Sequence, residues 1–138
     1  MSEALRTALE EALDSEYRAE ATFEAAIAAF GPVEPFVGVV EAARRNTDDL
    51  LRLFERHGLE PPANRWRGRI PKPADVAEAC QTARNAVQDA AECYDRLIDR
   101  IEAEDARAVI QRLRDVARAM DLPMLKDCCD RSHHLDSL

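Results

Sequence analysis

Two glutamates stand where a helix should be apolar. Between Leu9 and Phe30 the apolar residues Leu9, Leu13, Phe23, Ile27 and Phe30 fall on a ladder of steps of three and four. Glu16 and Glu20 complete the ladder. A helix with this pattern turns one stripe toward a core, so the two carboxylates are carried inward, one turn apart. A buried carboxylate is costly unless a partner neutralises it. Two polar residues elsewhere are candidates to face it. Asn46 occupies a core position in the next apolar ladder, and Asp121 lies beside a third. Glu16, Glu20, Asn46 and Asp121 together would make a hard, oxygen-rich cation site. Without a cation they would make a polar core, with Glu16 protonated or bonded to Asn46 and Glu20 reaching an arginine or water.

The soft ligands form a second constellation. Cys128 and Cys129 are followed by His133 and His134, and Cys80 lies far back in the chain. If the helices bearing Cys80 and Cys128 are antiparallel, those two residues meet. Cys80, Cys128, Cys129 and His133 would then suit zinc or copper, or Cys128 and Cys129 would respond to redox conditions. The alternative is plain: Cys80 and Cys93 are small core residues, and the C-terminal run is a frayed tail.

Four helical segments must position these groups. The first runs from about Ser2, a plausible N-cap, to Phe30, where Gly31 and Pro32 end it. The second runs from Pro35 to His57 with Phe36, Val39, Ala43, Asn46, Leu50 and Phe54 inward, Arg44 mostly outward, and Gly58 as its stop. The third spans about Ala74 to Ala103, with Val76, Cys80, Ala83, Val87, Ala90, Tyr94, Leu97 and Ile101 inward. The fourth follows the acidic joint Glu102 to Asp105. It carries Val109, Ile110, Leu113, Ala117, Met120 and Met124 inward and passes Pro123 with a kink to about Arg131.

Gly58 to Pro73 is the one long irregular stretch. At roughly 3.3 Å per extended residue it can span the length of a helix. A short turn, a long crossover and a second short turn make an all-α, antiparallel four-helix bundle with the crossover between helices 2 and 3, the ferritin-like arrangement. Trp66 is expected to clamp the crossover to the bundle. Arg65, Arg67, Arg69 and Lys72 form a basic strip that could dock an acidic partner or simply be solvated. His57 is expected to serve the dipole of its helix, and Tyr17 and Tyr94 are candidates for hydroxyls bonded to carboxylates.

At 138 residues the chain is read as a single domain, residues 1–138. A net charge of −8 argues against nucleic acid as a partner. Apolar runs are too short to span a membrane, and the amphipathic, acidic start is not a signal peptide. The expected compartment is therefore the cytoplasm, with all four cysteines reduced. No nucleophile-and-base set, phosphate loop or dinucleotide fingerprint is present.

Several stretches are similar to a bacterial family of ferritin-like proteins of unknown function: Glu16 to Phe23, Phe30 to Phe36, Val40 to Asn46, Glu78 to Cys80, Tyr94 to Leu97 and Leu122 to Met124. The resemblance spans nearly the whole chain. It implies a di-metal carboxylate bundle, with a Glu from helix 1, Glu-x-x-His from helix 2, a Glu from helix 3 and an acidic or His pair from helix 4. Carried over position by position, Glu16 matches the first. Ala43 and Asn46 stand at the helix 2 pair, Val87 at the helix 3 Glu and Asp121 at the helix 4 His. The resemblance thus implies a degenerate di-iron site and a non-catalytic structural or interaction module without cofactor. By class it would be a homodimer, with a further protein partner conceivable. The alternative is a metal-binding protein, with iron at Glu16 or zinc or copper at Cys80, Cys128 and Cys129.

Overall fold

The computed structural model describes residues 3–136, with side chains through Ser132. Five α-helical segments, α1 Glu3–Phe30, α2 Phe36–Arg56, α3 Val76–Ile98, α4 Glu104–Val116 and α5 Leu122–Asp136, form four rods. The fourth rod is α4 and α5 joined by one π-helical turn, Ala117–Asp121. The expected N-cap Ser2 lies outside the described residues. Among the described residues there is no strand, and no helix is long and apolar enough to cross a membrane.

α1 ends as its sequence dictates. Gly31 adopts φ 88° and its N–H donates to the Ile27 carbonyl at 2.8 Å. That left-handed residue turns the chain back at small steric cost, and α2 returns antiparallel along α1. Asp75 caps α3, its carboxylate accepting the Glu78 N–H at 2.8 Å. Contacts fix the remaining directions. Glu16 meets Tyr94 and Arg18 meets Asp89, so α3 is antiparallel to α1. Asp95 meets Arg114 and Cys80 meets Cys128, so the fourth rod is antiparallel to α3. Hence α2 and α3 run the same way, and the crossover between them carries the chain back along the bundle.

Trp66 does clamp that crossover, and Asp14 on α1 is the anchor. The Trp66 indole N–H donates to Asp14 Oδ1 at 3.0 Å, and Arg65 makes a two-pronged pair with the same carboxylate at 2.7 and 2.9 Å. The Arg65 guanidinium also stacks 4.6 Å from the indole centre. Arg65 therefore serves the fold instead of a partner.

Two boundaries and one internal turn depart from expectation. α3 stops at Ile98, not Ala103, although Ile101 is still buried in the joint. The last helix runs to Asp136 instead of fraying after Arg131. The larger departure is the π-turn. The inward ladder Ile110, Leu113, Ala117 predicts Met120 and Met124 next, yet these are 57% and 40% exposed. A π-turn inserts one extra residue, which rotates everything after it by about 100°. Leu125 and Cys128 become the buried residues, and Asp121 is brought toward the centre.

The buried core falls into two lobes. One holds Leu9, Leu13, Leu50, Phe54, Tyr94, Leu97 and Ile110, and four of its sixteen buried residues are alanine. The other holds Phe23, Phe36, Val39, Cys80 and Leu125, and eight of its sixteen are alanine. Glu16 lies at the level between them.

Candidate functional site

Glu16 and Glu20 are both about 5% exposed, as the ladder requires, but they face different neighbours. Glu16 projects into the bundle. Its Oε1 accepts the Tyr94 hydroxyl in a short hydrogen bond. The Asn46 amide Nδ2 lies 3.5 Å from both carboxylate oxygens, at the long limit of a hydrogen bond. Burial pushes the Glu16 carboxyl up to about 7; the Tyr94 and Asn46 donors oppose that rise, and nearby Asp121 and Glu20 add to it. Burial, with Glu16 beside it, also holds the Tyr94 phenol well above its ordinary value, so the phenol stays protonated and is the donor. Asp121, at the end of the π-turn, is pushed up to about 6 by burial.

Glu20 looks sideways. Its Oε1 is 3.5 Å from Arg44 Nε, and Arg44 Nη2 is 3.6 Å from Glu24. Burial raises the Glu20 carboxyl and Glu24 adds to the rise, while Arg67 and Arg44 oppose it. Arg44, expected on the outer side of α2, thus serves two acidic residues of α1. Nothing in its spacing marks it, since arginine reaches sideways with a long stem from a position beside the core. Of the four hard-ligand candidates, the fold brings together Glu16, Asn46 and Asp121, and Glu20 stays with Arg44.

A void of about 10 Å³ is lined by Glu16, Asn46, Tyr94 and Asp121 with Ala43 and Val87. That is room for about one water. Asn46 and Asp121 also line a larger groove of about 500 Å³, bordered by Val116, Met120 and Met124. Asn46 and Asp121 thus stand between the groove and the void.

These residues do not fit a two-cation centre. Two metal ions about 3.5–4 Å apart need several ionised carboxylates and imidazoles. Here Ala43 and Val87 present methyl groups, and neutral donors already meet Glu16. Among the described residues, no three His, Cys, Asp or Glu residues come together in a way that could hold a metal ion.

Cys80 and Cys128 meet, as antiparallel helices require, but they are bonded and not free thiols. Cys80 on α3 and Cys128 on α5 are joined in a disulfide, with their Cα atoms 5.8 Å apart. The expectation of four reduced thiols is therefore corrected. Compartment alone suggested it, whereas antiparallel α3 and α5, re-registered by the π-turn, put the two side chains face to face. In the disulfide neither sulfur offers a thiolate to zinc or copper. The free thiols are Cys93, buried, and Cys129, half-buried with Sγ 4.0 Å from Gln81 Oε1. Burial raises both. Cys128 bonds across to Cys80, and its neighbour Cys129 remains a free thiol. The side chain of His133 lies outside the described residues.

His57 also has a partner that sequence did not disclose. Its Nε2 lies 3.0 Å from Asp105 Oδ2 near the start of α4, where Arg56 joins it at 3.2 Å. The pair ties the end of the first hairpin to the start of the fourth rod.

The chain matches no family model and no curated protein sequence. Among solved structures it is similar to a conserved hypothetical protein, rv2844, from Mycobacterium tuberculosis. The TM-score is 0.79 and the identity 18%, covering 92% of this chain and 91% of that one. At that identity the likeness speaks to the fold alone.

Proposed function

We propose that the chain is a ferritin-like bundle with a degenerate di-metal site, and that it acts as a non-catalytic structural or interaction module. The observation that carries this reading is the pairing of Glu16 with Tyr94 and Asn46. The one carboxylate retained from the expected ligand set is met by neutral donors that do the work a cation would do. The topology, with a long crossover between two parallel rods, supports the ferritin-like part.

As an interaction module its contact surface is the groove of Met120 and Met124, and its partner a second copy. The rim there carries Arg45, Arg52 and Arg112 beside Asp48 and Asp49. Both signs on one patch are what a two-fold, self-complementary interface needs.

The test is the metal content of purified protein before and after anaerobic Fe(II) loading. We expect no stoichiometric iron. Two irons per chain, lost in Glu16→Ala, would overturn the reading and restore an iron-binding protein. Zinc or copper bound by reduced protein and lost in Cys128→Ser would move the function to the cysteine end.

A further inference from the structure

The basic strip of the crossover has a use that the bundle core does not absorb. Of its four cations, only Arg65 lies within 4 Å of a carboxylate among the described residues. Arg67, Arg69 and Lys72 are exposed and form no ion pair there. The protein carries a net charge of −8, so these cations make a local inversion of sign.

Beneath them lies a slot of about 400 Å³ between the crossover and the outer face of α1. That is the size of a small-molecule site. Its floor is Ala21, Ala25, Ala28 and Ala29, and Ile70 closes one side. The crossover is held off this floor at two points. Trp66 and Arg65 anchor it to Asp14 upstream, and Pro73 is buried downstream beside Ala26, Glu78 and Ala79. Between these anchors α1 lines the slot with four alanines and, on the wall, Glu24, so the floor is low and the slot stays open. Arg67 and Lys72 line it. Glu24, also on its wall, faces Arg44 at 3.6 Å through Oε2, while its buried Oε1 has no hydrogen-bond partner.

We infer that this slot binds an amphiphilic aliphatic carboxylate, with its chain on the alanine floor beneath Ile70 and its carboxylate between Arg67 and Lys72. The apolar floor supplies burial of the chain. The two cations supply charge-assisted hydrogen bonds to the head; Arg67 feels Glu20 at longer range, but neither cation lies within 4 Å of a carboxylate among the described residues, which leaves their donors available.

The test is calorimetry on the full chain with decanoate, hexanoate, acetate and decanol. We expect one saturable site for decanoate, weaker binding of hexanoate, none of acetate, and decanol at least tenfold weaker than decanoate. Ala28 is exposed, so Ala28→Trp fills the slot without touching the core and should abolish binding. Ala28→Ser leaves the slot open and should retain it. Arg67→Ala combined with Lys72→Ala should weaken decanoate at least tenfold and leave decanol unchanged. Circular dichroism of each variant confirms the fold. No saturable heat with decanoate, equal affinity in Ala28→Trp, or equal affinity for decanol and decanoate would each overturn the inference.

Discussion

At the scale of single residues, the chemistry of this bundle is the chemistry of a proton kept out of water. Glu16 titrates near 7 in the fold, against 4.5 for an ordinary glutamate. The folded state therefore holds its proton where the unfolded chain releases it. By linkage, the stability contributed by Glu16 is fully present below about 4.5 and is lost as pH rises through 7, by on the order of 3 kcal/mol over the full span. Asp121, raised to about 6, acts in the same direction. Asp14, held low chiefly by its hydrogen bond to Arg65, contributes below that window. We predict that urea denaturation midpoints decline between pH 5 and 8, and that Glu16→Gln, which keeps the shape and removes the charge, flattens the decline. A Glu16→Gln profile as steep as wild type would show that Glu16 does not carry the effect. Tyr94→Phe removes the strongest donor to Glu16 and should cost about 1–3 kcal/mol. It should also push the Glu16 titration, followed by carboxyl carbon NMR, further upward, because the Tyr94 bond now opposes the rise.

At the scale of elements, the π-turn decides what the fourth rod presents. The ladder through Ala117 was legible; its continuation was not, because an inserted residue leaves no mark in hydrophobic spacing. Met120 and Met124 fit the unbroken pattern as well as Leu125 and Cys128 fit the shifted one. Deleting Ala119 removes the extra residue, so it should close the turn into plain α-helix and keep Leu125 and Cys128 inward, with Cys128 still on Cys80. Alkylation under denaturing, non-reducing conditions should then still count two thiols. A count of four would show that the rod does not keep its downstream register when the extra residue is lost. Asp14 is the corresponding switch point for the crossover. Sequence gave Trp66 a clamping role but did not give the anchor, since Asp14 reads as one more acidic residue on a solvated helix face. Asp14→Ala should shift Trp66 fluorescence to the red and cost about 1 kcal/mol, a modest figure because the pair is partly exposed.

At the scale of the whole molecule, the legible part was what period and punctuation encode. Four apolar ladders, the stop at Gly31 and the sixteen residues from Gly58 to Pro73 were enough for the bundle and its crossover. Side-to-side reach was not encoded: Arg44 to Glu20, His57 to Asp105 and Arg65 to Asp14 are long-stem contacts between elements. Of the candidate centre, Glu16, Asn46 and Tyr94 were readable because a polar residue on an apolar ladder must find a partner. If the Met120 and Met124 face joins two copies, sedimentation should report a dimer in wild type. Met120→Glu combined with Met124→Glu, both at exposed positions, should give a folded monomer. A monomeric wild type would remove that surface from the account.

The two lobes of the core carry a consequence for how the molecule comes apart. Half the buried residues of one lobe are alanine, so each contributes little apolar area, and that lobe also contains both halves of the covalent link. Closing a loop across 48 positions can contribute about 4 kcal/mol in the chain-entropy view. The cross-link therefore sits where burial is thinnest and compensates for it. With a dithiol present, the ends of α3 and α5 near Cys80 and Cys128 should become the first foldon to admit deuterium. Amides around Leu9, Phe54 and Leu97 should keep the protection factors of the oxidised protein.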